Sequence, residues 1–456
     1  MPGLSTSLNI AVQALNAEQG ALDVTSNNIA NVNTPGYSRE VAVFQESPTV
    51  QEGNVAYGTG VTLLQFQSVR DQMLQLRIYE ETAQQSNAEA QFNSLSQIQT
   101  AFADPSQGVG GALTAFFNGL SQLSTNPTDS NARQQVLIAA NNLATAFHQS
   151  VSALDQEQAE LDQTVPKTVN QINQLTSQIA QLNSQVAQLT GLGKDPGTVQ
   201  DQRDQLVQQL SELVNVSVTQ TDQGITVTTG NGIPLVVAAQ SFALQSGTSS
   251  GGLQGVFAQG QDVTSQIQGG TLGAAIQVRD TVIPNLLSQL DTLASQFTSS
   301  FNATHQAGFD LNGNAGGNFF TPLTSVSGAA SKFSVAISDP NLIAASSDGS
   351  AGSNGNVAQM LAVQNQPLPE GVTPIQAYAN LVLIVGNYGS SAQANVAAST
   401  ASLQQLNDQR GAVSGVSLDE ESTNMIKYQR AYEAAARVVT TVDSMMQILL
   451  GMGVTK

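Results

Sequence analysis

The sequence contains no cysteine and no tryptophan, only two histidines, and charged residues at just 10% of its 456 positions. Without cysteine there is no disulfide, no thiolate nucleophile and no cysteine-ligated metal, and two histidines leave an ordinary zinc site short of ligands. The charge is lopsided as well as sparse. Lys plus Arg number 14 and Asp plus Glu 33, a net charge of -19 that opposes phosphate backbones and anionic lipid, and no basic stripe offsets it. Nucleic acid and membrane insertion are therefore not expected. The strongest apolar run, LVLIV at 381–385, falls far short of the roughly 20 residues of a membrane helix. The opening MPGLSTSLNIAVQALNAEQG has no basic start, no apolar core and no small-residue cleavage site, so no cleavable signal peptide is expected.

What is present is Gln, Asn, Ser, Thr and Ala in helical patterns, over a length sufficient for about three domains. Leu8, Leu15, Leu22 and Ile29 recur at every seventh position, with Leu4, Ala11 and Thr25 alongside and Glu18 interrupting. This predicts one long amphipathic helix. It ends at the Asn-rich 26–33, then Thr34, Pro35, Gly36 and Tyr37, where Pro and Gly fit the centre of a type II turn. Residues 40–66 read as short extended segments. Helical periodicity returns over 69–102, 110–124 and 131–190, with Pro105 and Pro127 as breaks. A turn at 191–198 leads to a helix carrying Leu206, Leu210 and Leu213, which folds back antiparallel.

Alternation over 214–278 predicts β-hairpins. A helix follows over 279–305, then a Gly/Asn loop at 308–318, mixed structure to 356, and helices over 356–365 and 374–412. From Leu418 the heptad resumes: Leu418, Met425, Tyr432, Val439 and Met446 form one seam, and Tyr428, Ala435, Val442 and Leu449 the next. The expected class is mainly α with a smaller β part. Two such stripes at opposite ends of the chain either form the core of a closed bundle or meet other subunits; periodicity alone leaves both open.

Candidate chemistry is thin. Glu420 and Glu421 are adjacent on one helix, so they point apart, whereas a glycosidase pair must face across a cleft; beside Asp419 they suit a helix start. Asp310, Asn312 and Asn314 resemble a calcium loop, but the Gly falls one place early and no acid closes the site, so a structural turn fits better. His148 and His305 lie far apart. No GxSxG elbow occurs. No catalytic, metal or cofactor site is expected.

The segment SNNIANVNTPGYSR at 26–39 resembles the N-terminal signature of bacterial flagellar axial proteins, the rod, hook and hook-associated group, and 414–450 resembles their C-terminal helix. DQRDQLVQQLSELV at 201–214, GGTLGAAIQVRD at 269–280 and FNATHQAGFDLNGNAGGNFF at 301–320 narrow the resemblance to the hook-associated protein 1 family. This implies a non-enzymatic subunit of the hook–filament junction, extracellular, with hook or distal-rod protein as the alternative within the class. A secreted enzyme or adhesin using flagellar-type export is the alternative outside it, which an organised polar cleft in 214–356 would favour.

The resemblance further implies an elongated axial protein with paired terminal helices as a coiled coil. Its expected parts are an axial core from 1–60 with 413–456, a helical middle from 61–213 with 357–412, and a small β-rich outer domain over 214–356. Implied partners are further copies of the chain, hook protein below, the next junction hook-associated protein above, an export chaperone at the C-terminal region and the type III export apparatus. Leu4, Leu8, Leu15, Leu22, Ile29, Leu418, Met425, Tyr428, Tyr432, Val439, Val442, Met446 and Leu449 are the expected assembly surface. Leu15 and Leu22 are expected against Val439 and Met446. Asn27, Asn28, Asn31, Asn33, Thr34, Pro35, Gly36 and Tyr37 form the axial-family turn, either a subunit-contact loop or only a helix terminator.

Overall fold

The computed structural model describes residues 2–52, 55–102, 108–221, 224–369 and 371–452. Eleven α-helices and eleven short strands are described, with helix at 66% and strand at 12%. The mainly α class with small sheets is thus observed, and the chain divides into two compact units, each discontinuous in sequence.

The first unit takes residues 1–84, 170–244 and 399–456. It begins with α1 (Pro2–Ala30), followed by a β-ribbon. In the ribbon β1 (Glu40–Glu46) pairs antiparallel with β4 (Val61–Ser68), from Glu40 opposite Ser68 to Glu46 opposite Val61, with a bulge between Val43 and Phe44. The tip of the ribbon is β2 (Val50–Glu52) against β3 (Val55–Tyr57). The start of α2 (Gln72–Phe102) and the end of α4 (Ser130–Gly191) also belong here. After a tight turn α5 (Gly197–Leu213) comes back along α4, Arg203 donating to Asn183 at 3.3 Å.

A four-stranded meander follows: β5 (Val216–Thr221), β6 (Gly224–Thr229), β7 (Pro234–Val237) and β8 (Gln240–Ser241). Ile225, Val227 and Thr229 alternate inward as the pleat requires. Asn183 on α4 is wholly buried and acts as a peptide mimic for this sheet. It donates to the carbonyls of Ile225 and Ala238 at 2.8 Å and accepts from the Ile225 N–H. The unit closes with the end of α10 (Pro374–Ser414) and with α11 (Leu418–Met452).

The second unit takes 85–169 and 245–398. It holds α3 (Val109–Thr125), the first part of α4, and a three-stranded sheet of β9 (Leu244–Thr248), β10 (Gln254–Ala258) and β11 (Gln261–Asp262), whose first residue lies at the unit boundary. It also holds α6 (Gly270–Gln277), α7 (Ile283–Gln306), the short α8 (Ala329–Lys332) and α9 (Gly355–Ala362). Its core is aromatic: Phe116, Phe297, Phe301, Phe319 and Phe320 are wholly buried, with ring centroids 5.1 to 6.2 Å apart around Phe116. Asn302 fixes the Phe319–Phe320 pair by accepting from both of their N–H groups and donating to the Phe320 carbonyl.

Three expectations are corrected. The helix foreseen at 279 starts at Gly270: α6 passes through a π-turn at Val278–Val282 into α7. That wider turn carries Arg279, 1% exposed, onto Asp162, Asp280 and the Gln254 carbonyl. The sheet in 214–241 belongs with the terminal helices rather than in a separate β-rich domain over 214–356, because Asn183 and α5 tie it to the end of α4. The chain therefore parts elsewhere than the three expected divisions, with α2, α4 and α10 each contributing to both units. Pro127 does separate α3 from α4, whereas Pro105 lies outside the described residues.

Candidate functional site

The terminal helices pack on each other antiparallel. Glu18 feels the charge of Lys427, while Ala21, Val24 and Thr25 line one small cavity with Glu421, Asn424 and Tyr428. Ala11, Ala17, Ala21, Val24 and Thr25 of α1 are buried, the two Ala at 17 and 21 at 1% exposure, and Ala21, Val24 and Thr25 lie beside α11. Alanine at the contact lets the helix axes approach closely.

Leu4, Leu8, Leu15, Leu22 and Ile29 are only half-buried along the flank of this seam. On α11 the foreseen positions divide. Val442 is buried, Met425, Tyr428, Val439 and Met446 are half-buried, and Leu418, Tyr432 and Leu449 are 49%, 38% and 41% exposed. Within one chain, the antiparallel register sets Leu15 and Leu22 nearer Ala431 and Asn424 than Val439 and Met446. The expected pairing is therefore not made inside the chain. The α1 residues facing α11 are the small ones because a second neighbour, the β-ribbon, covers the adjoining side: a Cβ added at Gly20 would meet Leu63 and Phe66. Phe44 reaches past to Tyr428, centroids 6.4 Å apart.

The Oε2 of Glu18, the residue that interrupts the heptad, is buried with no hydrogen-bond partner among the described residues, and burial raises the pKa of Glu18 against the opposing pull of Lys427. Arg39 joins the turn to α11 through Glu420 at 2.7 Å. Glu420 is consumed there, so Glu420 and Glu421 do not face each other across a cleft.

Beyond α1 the turn motif is used internally. Thr34, Pro35, Gly36 and Tyr37 form a β-turn closed by the Tyr37 N–H on the Thr34 carbonyl at 3.2 Å, with Gly36 at φ +82° as type II requires. Asn28, 1% exposed, bridges the two sides. Its Oδ1 accepts from the Tyr37 hydroxyl and the Glu40 N–H, and its Nδ2 donates to the Glu40 carbonyl at 2.8 Å. Asn31 receives the Thr34 hydroxyl and binds Asn27. Asn33, Thr34 and Pro35 are exposed at the crest, and Asn27 is exposed on α1, while Asn28 is buried and Asn31, Gly36 and Tyr37 are half-buried.

The far side of the turn is clasped by distant chain. Asp201 of α5 accepts from the Ser38 N–H at 3.0 Å and the Ser38 hydroxyl at 2.8 Å, and from Arg70 at 2.7 Å. Arg70 also holds Asp204 at 2.7 Å and the Gly197 carbonyl at 2.6 Å. Gln205 donates to the Pro35 carbonyl, and Arg410 of α10 to the Gly36 carbonyl at 2.6 Å. Burial raises the pKa of Asp201, Glu40 and Asp195, each in part offset by Arg70. Burial and these carboxylates push the Tyr37 phenol far up. The clasp residues Arg70, Asp201, Gln205 and Arg410 were not foreseen; the sequence displayed DQRDQ as a block but nothing tied it to a turn so far upstream.

The alternative sites resolve into structure. Asp310 accepts from the Asn312 and Asn314 N–H groups at 2.8 Å, closing its own turn, and no cluster of metal-binding side chains occurs among the described residues. His305 is wholly buried, Nδ1 to the Gly317 carbonyl at 2.8 Å and Nε2 accepting from the Ala344 N–H at 2.9 Å; His148 is exposed. A polar groove does open between Ser249–Leu253 and Ile267–Thr281. Its charged groups are committed to one another, Arg279 to Asp162 and Asp280, and Asp262 to Thr264. Among the described residues no helix is long and apolar enough to cross a membrane.

Residues 95–320 match the flagellar hook-associated protein FlgK helical domain, 8–37 the flagella basal body rod protein family, and 409–452 the flagellar basal body rod FlgEFG protein C-terminal family. The chain is 31% identical to flagellar hook-associated protein 1 of Bacillus subtilis, covering 98% of each. It is 26% identical to that of Escherichia coli, over 98% of this chain and all of the relative. These alignments run over 505 and 544 positions, so the relatives carry segments that this chain lacks. The flagellar hook junction protein FlgK from Burkholderia pseudomallei shares the fold with a TM-score of 0.66 at 19% identity, over 74% of this chain and all of that one.

Proposed function

The chain belongs to the flagellar hook-associated protein 1 family, and from that membership we propose how it serves as a structural subunit of the hook–filament junction of the extracellular flagellum. Neighbouring copies pack through the apolar surface that the two terminal helices leave open. The observation that carries this is the half-open leucine flank of α1, Leu4, Leu8, Leu15 and Leu22, running beside an α11 whose Leu418, Tyr432 and Leu449 are exposed. Each such side chain covered by a neighbour contributes on the order of 1.5 to 3 kcal/mol if burial becomes complete, and less in proportion to what is already covered.

No reaction is assigned to it, the groove of the second unit having no opposed acid and base. Hook protein lies below and the next junction protein above. The chain leaves the cell through the type III apparatus, its C-terminal region held by a chaperone until export. A cysteine-free chain suits that passage. The turn motif serves mainly as an internal clasp, with its crest at Asn33, Thr34 and Pro35 and the exposed Asn27 available to a neighbour.

The test is co-sedimentation of the full chain with isolated hook structures. Wild type pellets with hooks, and the triple variant Leu8→Ser, Leu15→Ser, Leu22→Ser remains in solution while its second unit melts as before. Undiminished pelleting of that variant would overturn the terminal-helix reading.

A further inference from the structure

The joint between α1, β1 and the start of α11 encloses a cavity of about 240 Å³. Ala21, Val24 and Thr25 wall it on one side, Val41 and Ala42 on another, and Glu421, Asn424 and Tyr428 on the third. The last three follow one another at intervals of three and four, so they share one face of α11. Glu421 is only 3% exposed and Thr25 only 2%. Yet the Glu421 carboxylate, the Thr25 hydroxyl, the Asn424 amide and the Tyr428 hydroxyl make no hydrogen bond or ion pair among the described residues. Buried polar groups are rarely left in that state, and four of them around one cavity mark a place that something fills.

The charges on the walls narrow what that is. Arg39 spends its charge on Glu420 at 2.7 Å, Lys427 lies over the Tyr428 ring and offsets Glu18, and Glu40 is answered by Arg70. One carboxylate is left over, that of Glu421, in the first turn of α11, where the helix dipole favours a negative charge. Water alone would hydrogen-bond these groups but leave that charge unbalanced in a buried setting. The unused groups are a carboxylate, two hydroxyls and an amide carbonyl, which is the oxygen set that hard cations take. Among the described residues no trio of acidic, histidine or cysteine side chains could hold a metal, so one charge is what the site can balance. The Nε of Arg39, buried without a partner, is a donor for a water carried in with the ion.

We propose that the cavity binds one alkali-metal ion, with part of its water shell, on Glu421, Thr25, Asn424 and Tyr428, and that the ion fastens the start of α11 to α1. The site lies within one chain and does not depend on the assembly reading above.

The test is calorimetric melting of the full chain in sodium, potassium and N-methylglucamine nitrate at equal ionic strength, the last as the bulky reference. In sodium or potassium the first unit should melt higher, by about 3 to 5 °C for each tenfold rise in the ion above half-saturation. Thallous nitrate, as a potassium-sized probe, should give a bound signal by thallium NMR. Glu421→Gln should abolish both effects and melt above wild type in the bulky salt, because it removes the unbalanced charge. Thr25→Val should weaken the ion about fivefold, while Glu420→Gln, outside the cavity, should keep the dependence on the ion. Equal wild-type melting in the three salts, no bound thallium signal, or a Glu421→Gln chain that keeps the ion dependence would each overturn the site. Should Glu421→Gln fail to fold, Thr25→Val and the wild-type salt comparison still decide.

Discussion

Ser38 gives both of its donors, the backbone N–H at 3.0 Å and the hydroxyl at 2.8 Å, to the carboxylate of Asp201, 163 residues further along the chain. The end of the first helix is thereby fixed to a helix from the middle of the sequence, with Arg70 closing the set. Asp201→Ala leaves Arg70 and Ser38 without their common partner in a mostly buried setting and is expected to cost about 3 kcal/mol. Ser38→Ala should cost about 1 kcal/mol. Denaturant melts of the two single variants and the double variant should be non-additive, since both remove the same contact. Additive losses would mean that Ser38 and Asp201 act separately.

Gly36 tests the turn itself. It sits at φ +82°, and a Cβ there would meet the amide of Gln205, the group that holds the Pro35 carbonyl. Gly36→Ala is expected to lower stability by about 1 to 2 kcal/mol. Gly3, on the open first turn of α1 with nothing near its Cβ direction, should respond in the opposite sense, Gly3→Ala gaining up to about 1 kcal/mol from helix propensity. Thermal melts of the two variants compare them directly.

How much of this was legible depends on the range of the contact. The two terminal helices, the long helices of 72–191 and the Thr34–Tyr37 turn follow from local periodicity and turn chemistry and lie close to where the sequence places them, whereas the helix foreseen at 279 starts earlier. The heptad leucines were also visible, but not that Leu15 and Leu22 would stay half open while Ala17 and Ala21 became buried. Periodicity reports which face is apolar, whereas the choice between large and small residues at the contact depends on the ribbon lying against Gly20. The clasp was illegible for a similar reason. Asp201 and Arg70 are ordinary charged residues until the fold brings them to Ser38. The π-turn at Arg279 likewise has no local signature; it exists because a buried guanidinium needs Asp162 and the Gln254 carbonyl.

Mild acid should act oppositely on the two units. His305 is held neutral between the Gly317 carbonyl and the Ala344 N–H, and burial lowers its pKa below 6.5. The unfolded chain therefore takes up the proton first, and the stability His305 contributes is present above pH 6.5 and lost as pH falls toward its folded pKa. In the first unit Asp201, Glu40 and Asp195 have raised pKa values, so their contribution is full below the unfolded values of about 4 and is lost as pH rises through the folded ones. Hydrogen exchange read by mass spectrometry between pH 7 and 5, corrected for intrinsic rates, should show the Ala344 amide losing protection while the Ser38 amide gains it. His305→Gln should remove the first trend; its persistence would assign it to another group.

The α1–α11 seam supplies the sharpest contrast between pattern and packing. A heptad of leucines suggests that Leu15 and Leu22 carry the helix pair and that the alanines beside them are incidental. In the fold Ala17 and Ala21 are 1% exposed, Ala21 beside Asn424 and Tyr428 of α11, and the leucines are half open. Enlarging a contact of this kind forces off-rotamer side chains or separates the helices, at about 1 to 3 kcal/mol per site. Truncating a half-covered leucine forfeits only the covered part of its burial, about 1 kcal/mol. Ala21→Leu should therefore destabilise the isolated chain more than Leu22→Ala does and open α11 near Tyr428 to protease. In association with hooks the order should reverse, because Leu22→Ala removes surface that a neighbour covers. If the two variants rank the same way in melting and in co-sedimentation, the leucine flank does not meet a neighbour.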